Sequence, residues 1–265
     1  MPVFSSEAVV LRTWPVHEAD LIVSFFARDY GRMRGIAKSA LKSRKRFGGA
    51  LEPMTLARAW FAERPRQDLV RLDQLEILRS PLSAPVDPAR MTALSFYAEL
   101  LDEVLPERDP QDAVFRLVGS VLEQTAAIEL EPPAQDAAVP EASPRKARQP
   151  WMALTYFSLW MTRLMGLLPD LGRCIVCGEP LRAAEVWFST SSDGLFCPLH
   201  AHGACIALSA DSWQLAQRIL RAPASAFAAE PWSHRRGQDL RRFAIATLER
   251  HLERKLRSAE AIARL

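Results

Sequence analysis

The sequence predicts an α+β protein: a small closed β-barrel in the first 80 residues, then an α-helical domain carrying a metal-knuckle insertion. Three observations lead there. Short runs rich in β-branched and aromatic residues fill the front of the chain. The apolar period then changes from two to nearly four after Pro88. Later, two metal-ligand pairs flank a strand–turn–strand pattern between helical segments.

The strands are expected at Glu7–Thr13, Leu21–Ala27, Gly31–Lys38, Met54–Glu63 and Val70–Arg79. Polar or turn-prone segments separate them, among them Asp29-Tyr30-Gly31 and Arg64-Pro65-Arg66-Gln67-Asp68. Five short strands in this length suit a small barrel. The OB-fold is the commonest such architecture, with an SH3-like barrel as its structural rival. Residues 1–80 are therefore expected to form one domain and 81–265 a second, helical one.

Within the second domain Ala93, Leu94, Phe96, Tyr97, Leu100, Leu101 and Val104 recur at helical spacing. Val114, Leu117, Val118, Val121 and Leu122 do so again. Five prolines between 130 and 150 mark a linker or loop. Helical periodicity resumes at Trp151–Leu168, a window too short and too polar to span a bilayer, and at Ser212–Leu220. The stretch Gly237–Arg257 reads as one long amphipathic helix, with Arg241, Arg242, Arg250, Arg254 and Arg257 facing water.

Residues 171–203 hold the insertion. Cys174-Ile-Val-Cys177-Gly178 and Cys197-Pro-Leu-His200 are two knuckles, each a tight turn that lets two ligands converge on one ion. Glu185–Phe188, the Asp193-Gly194 turn and Leu195–Cys197 form a hairpin between them. Together they describe a zinc-ribbon-like unit with Cys174, Cys177, Cys197 and His200 as ligands. His202 and Cys205 are rival fourth ligands. Four protein ligands leave no open position, so the expected zinc, one per chain, is structural.

Charge is unevenly distributed. Residues 1–80 carry 14 Lys/Arg against 9 Asp/Glu, 81–150 carry 6 against 12, and 151–265 carry 14 against 10. Two basic ends around an acidic middle suit nucleic acid better than a small metabolite. The densest cluster includes Arg32, Arg34, Lys38, Lys42, Arg44, Lys45 and Arg46, followed by Phe47-Gly48-Gly49. A flexible basic loop beside a barrel face supplies phosphate contacts, and Phe47 or Trp60 is a candidate to stack on bases. Phosphate-loop, HExxH, GxSxG and dinucleotide signatures are absent from the sequence, so no catalytic residue is assigned. With four cysteines and no apolar leader, the chain reads as cytoplasmic.

The residues Val9–Thr13, His17–Asp20, Phe26–Gly31, Gly35–Ser39 and Arg46–Pro53 together resemble the RecO family. The likeness continues to the closing Glu249–Ser258 segment and excludes only 130–150. It implies an OB domain followed by a helical domain with a zinc-ribbon-like insertion. It also implies a non-enzymatic part in recombinational DNA repair: binding single- and double-stranded DNA, annealing complementary strands, working with RecR, contacting single-strand-binding protein and helping to load RecA. His200 departs from the family's four-cysteine pattern. An RNA-binding OB/zinc-ribbon protein of translation or transcription is the competing reading, and a zinc hydrolase, needing an open metal position, is a third.

Overall fold

Alternating patterning in the first 80 residues produces five strands that close into a barrel in the computed structural model. They are β1 (Val3–Pro15), β2 (Leu21–Ala27), β3 (Gly31–Ala37), β4 (Leu56–Ala62) and β5 (Val70–Arg79), in the order β1-β2-β3-β5-β4. The structure describes residues 2–63, 67–83, 87–126, 128–129, 146–147, 150–182 and 186–264. Most of the expected 130–150 linker, Glu185, and the Arg64–Arg66 part of a predicted turn lie outside the described residues.

Neighbouring strands pair antiparallel except β3 and β5, which run parallel through Gly35↔Val70 and Ile36↔Arg71. That parallel seam closes the ring, and it is tight. A Cβ at Gly35 would lie 3.0 Å from Val70 Cγ2 and 3.2 Å from Leu72 Cβ, so the closure requires glycine or a shift of its neighbours. The interior is filled by Val10, Val23, Phe25, Met33, Phe61, Val70 and Leu72, all nearly inaccessible. Phe25 and Phe61 lie 5.8 Å apart by centroid, and Tyr30 meets Phe61 edge-on at 5.2 Å. Each buried phenylalanine contributes about 2–3 kcal/mol of transfer free energy. The β3–β4 connection contains a single helical turn, α1 (Arg44–Phe47), and Phe47 of that turn plugs the core.

The helices begin with α2 (Pro88–Val104). Asp87 caps it by accepting from the Arg90 N–H, and Pro88 occupies the first turn, where its missing N–H costs nothing. It is followed by α3 (Asp112–Ala126) and by two short paired strands, β6 (Ile128–Glu129) and β7 (Lys146–Ala147). By compactness the chain divides into two units, Met1–Arg116 with Ala126–Arg148, and Leu117–Thr125 with Gln149–Leu265. α2 belongs to the barrel's unit: Ser24 of β2 donates to Asp102 of α2.

The second unit is organised around α4 (Trp151–Leu164). Nearly all of its side chains are buried, which explains its continuous hydrophobicity. Its polar interruptions are harmless, because Thr155, Ser158 and Thr162 each donate to the carbonyl four residues earlier. Around it come β8 (Val186–Ser189), β9 (Leu195–Phe196), β10 (Cys205–Leu208), α5 (Ala210–Ile219), α6 (Gln238–His251) and α7 (Arg257–Arg264). The three strands form a small sheet in the order β10-β8-β9. No helix among the described residues is long and apolar enough to cross a membrane.

The closing helix differs from expectation. It breaks between α6 and α7, where Glu253 takes φ 53° and the buried Glu249 carboxylate accepts from the Leu256 N–H and from Lys255 Nζ. Arg241 does not face water: it is 3% exposed, donates to Thr155 Oγ1 at 2.8 Å and to the carbonyls of Arg236 and His234, and lies over Trp151.

Candidate metal centre and nucleic-acid interface

The first knuckle is a tight turn. The Gly178 N–H donates to the Cys174 carbonyl and the Cys174 N–H to the Glu179 carbonyl, both at 2.9 Å. Gly178 adopts φ +74°, a conformation that suits glycine and lets the chain reverse beside the second sulfur. The second knuckle closes through the His200 N–H donating to the Cys197 carbonyl at 3.0 Å. Pairing joins the two: the Ile175 N–H donates to the Leu195 carbonyl at 2.9 Å, and Cys174 bridges Leu195 in parallel.

As a result the ligand atoms of Cys174, Cys177, Cys197 and His200 all lie within 4.8 Å of one another. Cys177 Sγ and Cys197 Sγ are 4.0 Å apart; His200 Nδ1 is 3.2 Å from Cys197 Sγ and 3.7 Å from Cys174 Sγ. A tetrahedral ion with ordinary zinc bond lengths would set sulfur–sulfur edges of about 3.8 Å and sulfur–nitrogen edges of about 3.6 Å. The residues fit a metal such as zinc, with every position filled by protein. The rivals fall away: Cys205 opens β10 opposite Ser189, and its thiol donates to the His202 carbonyl.

Burial raises the pKa of Cys174, but hydrogen bonds from the backbone at Cys177, Cys197 and Val176, with the Cys177 side chain, outweigh it and pull the thiol down to about 6. The knuckle thus favours a thiolate, the form that binds metal. The hairpin beside it is held by Arg250 of α6, which donates to the Ser192 carbonyl at 3.0 Å and pairs with Asp193.

The sequence-predicted DNA contacts separate into two groups. Arg34, Lys38, Lys42, Arg44 and Lys45 are exposed. None of the three lysines, nor Arg44, has an ion-pair partner among the described residues, while Arg34 lies 3.8 Å from Glu107. The loop that carries the lysines is tethered: the Ser39 N–H donates to Asp20 Oδ1 and the Leu41 N–H to the Ala19 carbonyl, beside the β1–β2 turn. Arg46 braces the loop from within, donating to the Lys38 carbonyl at 2.6 Å and to Ser43 Oγ at 3.0 Å.

Two residues are placed otherwise than expected. Phe47 is 1% exposed in the barrel core and offers no face to a base. Arg32 is buried, donating to the Leu105 carbonyl at 2.8 Å and pairing with Glu107 at 3.3 Å. Trp60 is half-buried and Phe61 takes the inward place. The aromatic that sequence reading passed over is Trp14, half-buried, with Arg12 and Arg34 guanidinium carbons 5.0 and 5.9 Å from its ring centroid. The spacing Arg12-x-Trp14, two residues on one strand face, was its only signal.

Two family models match the chain: "Recombination protein O N terminal" over residues 1–81, and "Recombination protein O C terminal" over 85–139 and 145–260. A protein of Koribacter versatilis named DNA repair protein RecO is 48% identical over 251 residues, covering 95% of this chain and 94% of its own length. Proteins of the same name from Anaeromyxobacter dehalogenans and Bifidobacterium adolescentis are each 32% identical. They cover 94% and 74% of this chain, and 91% and 73% of their own lengths. With a barrel, a helical region and a knuckle cluster in the order the sequence predicted, and matches of this extent, the chain belongs to the RecO family of DNA repair proteins.

Proposed function

We propose that this protein is a recombination mediator that binds single- and double-stranded DNA, anneals complementary strands, and acts with RecR to load RecA on strands coated by single-strand-binding protein. It does so without catalysing a covalent step. The observation that carries the reading is family membership along nearly the whole chain, and the tethered loop of exposed cations on the barrel agrees with it. In this reading residues 1–80 are the nucleic-acid-binding domain. Residues 81–265 are the helical domain, with 130–150 as linker and 171–203 as the metal-bearing insertion.

Arg34, Lys38, Lys42, Arg44 and Lys45 meet phosphates, and Arg46 positions their loop. Annealing requires two polyanions to approach, and displaced counterions on each strand lower that barrier. One zinc ion on Cys174, Cys177, Cys197 and His200 would crosslink the two knuckles, adding to the Ile175–Leu195 backbone hydrogen bond that already joins them.

The test is annealing of complementary oligonucleotides coated with single-strand-binding protein, with and without RecR. Accelerated annealing that RecR modulates supports the reading. An unchanged rate across a range of protein concentrations, together with preferential binding of structured RNA, favours a protein of translation or transcription instead.

A further inference from the structure

One face of the barrel carries an arrangement that charge alone does not explain. Arg12, Ser24 and Arg34 stand in register across β1, β2 and β3, and Trp14, Ile22 and Ile36 form the next row on the same outer face. The first row is closed at its centre, where Ser24 is fully buried and donates to Asp102. The second row is not: Trp14, Ile22 and Ile36 are each partly exposed. Arg12 and Arg34, both exposed, bring their guanidinium groups to within 6 Å of the indole centroid.

The row runs directly into the basic loop. Ile36 precedes Lys38 by two residues, and the loop's start is fastened to the β1–β2 turn. The carboxylates nearby are already engaged or peripheral: Glu107 is shared between Arg32 and Arg34, Asp20 caps Ser39, and Glu18 is exposed in the turn. A partly exposed indole in register with two isoleucines, with two guanidinium groups over its ring that can turn to phosphates when a base takes their place and lysines beyond, matches a nucleobase with its flanking phosphates.

We propose that Trp14 is a stacking platform for an unpaired base of single-stranded DNA, with Arg12 and Arg34 holding the phosphates on either side of it. The proposal rests on the DNA-binding reading above and adds a selectivity to it. In a duplex the base faces are occupied by their neighbours, so the lysine loop serves both forms of DNA while Trp14 serves only the single strand.

The experiment measures binding of oligo-dT, the same oligonucleotide with abasic sites, and a duplex of equal length to the full chain and to Trp14→Ala, Trp14→Phe, and the triple variant Lys42→Ala, Arg44→Ala, Lys45→Ala. Trp14→Ala should weaken oligo-dT about tenfold, leave the duplex within about twofold, and keep the salt slope. Trp14→Phe should retain most of the affinity. The wild-type preference for oligo-dT over the abasic strand should vanish in Trp14→Ala, a ratio that partial misfolding does not mimic. If Trp14→Ala keeps both the affinity and that preference while the triple variant loses binding to both forms, the platform is refuted and the DNA-binding reading stands. If the wild-type protein binds none of the three, that reading fails and the platform with it.

Discussion

Truncating Arg241 separates its two possible roles. From sequence it is one of a row of surface cations; in the structure it is 3% exposed, with three acceptors and Trp151 beneath it. Burial pulls its pKa down to about 10, partly opposed by Asp239, a gap corresponding to about 3 kcal/mol against the charged form. Against that stand three acceptors. Losing their donor costs about 2 kcal/mol at the buried Thr155 Oγ1 and about 1.5 kcal/mol at each part-buried carbonyl, and the lost contact with Trp151 adds about 1 kcal/mol. Arg241→Ala should therefore destabilise the second unit by about 3 kcal/mol net and lower its calorimetric midpoint by about 10 °C.

The depressed pKa adds a sign. The unfolded chain holds this proton more readily, so its contribution to stability rises with pH only above about 10 and is constant near neutrality. Arg241→Lys keeps the charge but lacks the planar fork, and should fall between the two. Below the transition, DNA affinity and its salt dependence should match the wild type. An unchanged midpoint in Arg241→Ala, or a salt slope reduced by about 0.7 with the midpoint intact, would refute the burial argument and return Arg241 to the surface.

Elemental analysis should find about one zinc per chain, and Cys174→Ser should lose the metal and increase amide exchange across residues 173–200; a metal-free protein with an unchanged melting point would count against the site. Arg250→Ala should release the hairpin turn, raising exchange at residues 190–196 and costing about 1–2 kcal/mol, with unchanged exchange as the contrary result. Burial raises the Glu230 pKa, but Arg218 and Arg236 outweigh it and hold the carboxyl below its usual range. Its contribution is thus complete above about pH 5 and lost as pH falls through the folded value. Glu230→Gln should flatten acid-side unfolding by roughly a few tenths of a kcal/mol, since the pair is partly exposed.

The barrel was legible because its signal is local. β2 and β5 begin and end where alternation says they should, β3 and β4 differ by one or two residues at their ends, and β1 starts four residues earlier and ends two later than expected. The knuckles were legible for a similar reason: CxxC and CxxH fix their turns within four residues. What alternation cannot read is the parallel β3–β5 seam, which joins residues 35 apart, or the pairing of β10 with β8, which decides that Cys205 leaves the metal cluster. Phe47 follows a run of cations, and its inward turn depends on α1, a four-residue helix too short to show periodicity.

The arginines were the least legible residues, and the reason is specific. Arg32, Arg90, Arg241 and Arg250 all spend their guanidinium groups on backbone carbonyls of irregular segments: Leu105 at the end of α2, Pro81, the 234–236 turn, and the β8–β9 hairpin. Such carbonyls have no partner within a helix or sheet ladder, and a rigid five-donor fork satisfies several at once. Lysine, a strongly hydrated point charge, does this poorly. The chain has five lysines among its 34 basic residues, and three of them fall at 38, 42 and 45. In so arginine-rich a sequence, that concentration of lysine separates cations kept in solvent from cations used to fasten loops. It sets the β3–β4 connection apart as a run of exposed lysines without ion-pair partners among the described residues, which total charge, spread over both ends of the chain, does not.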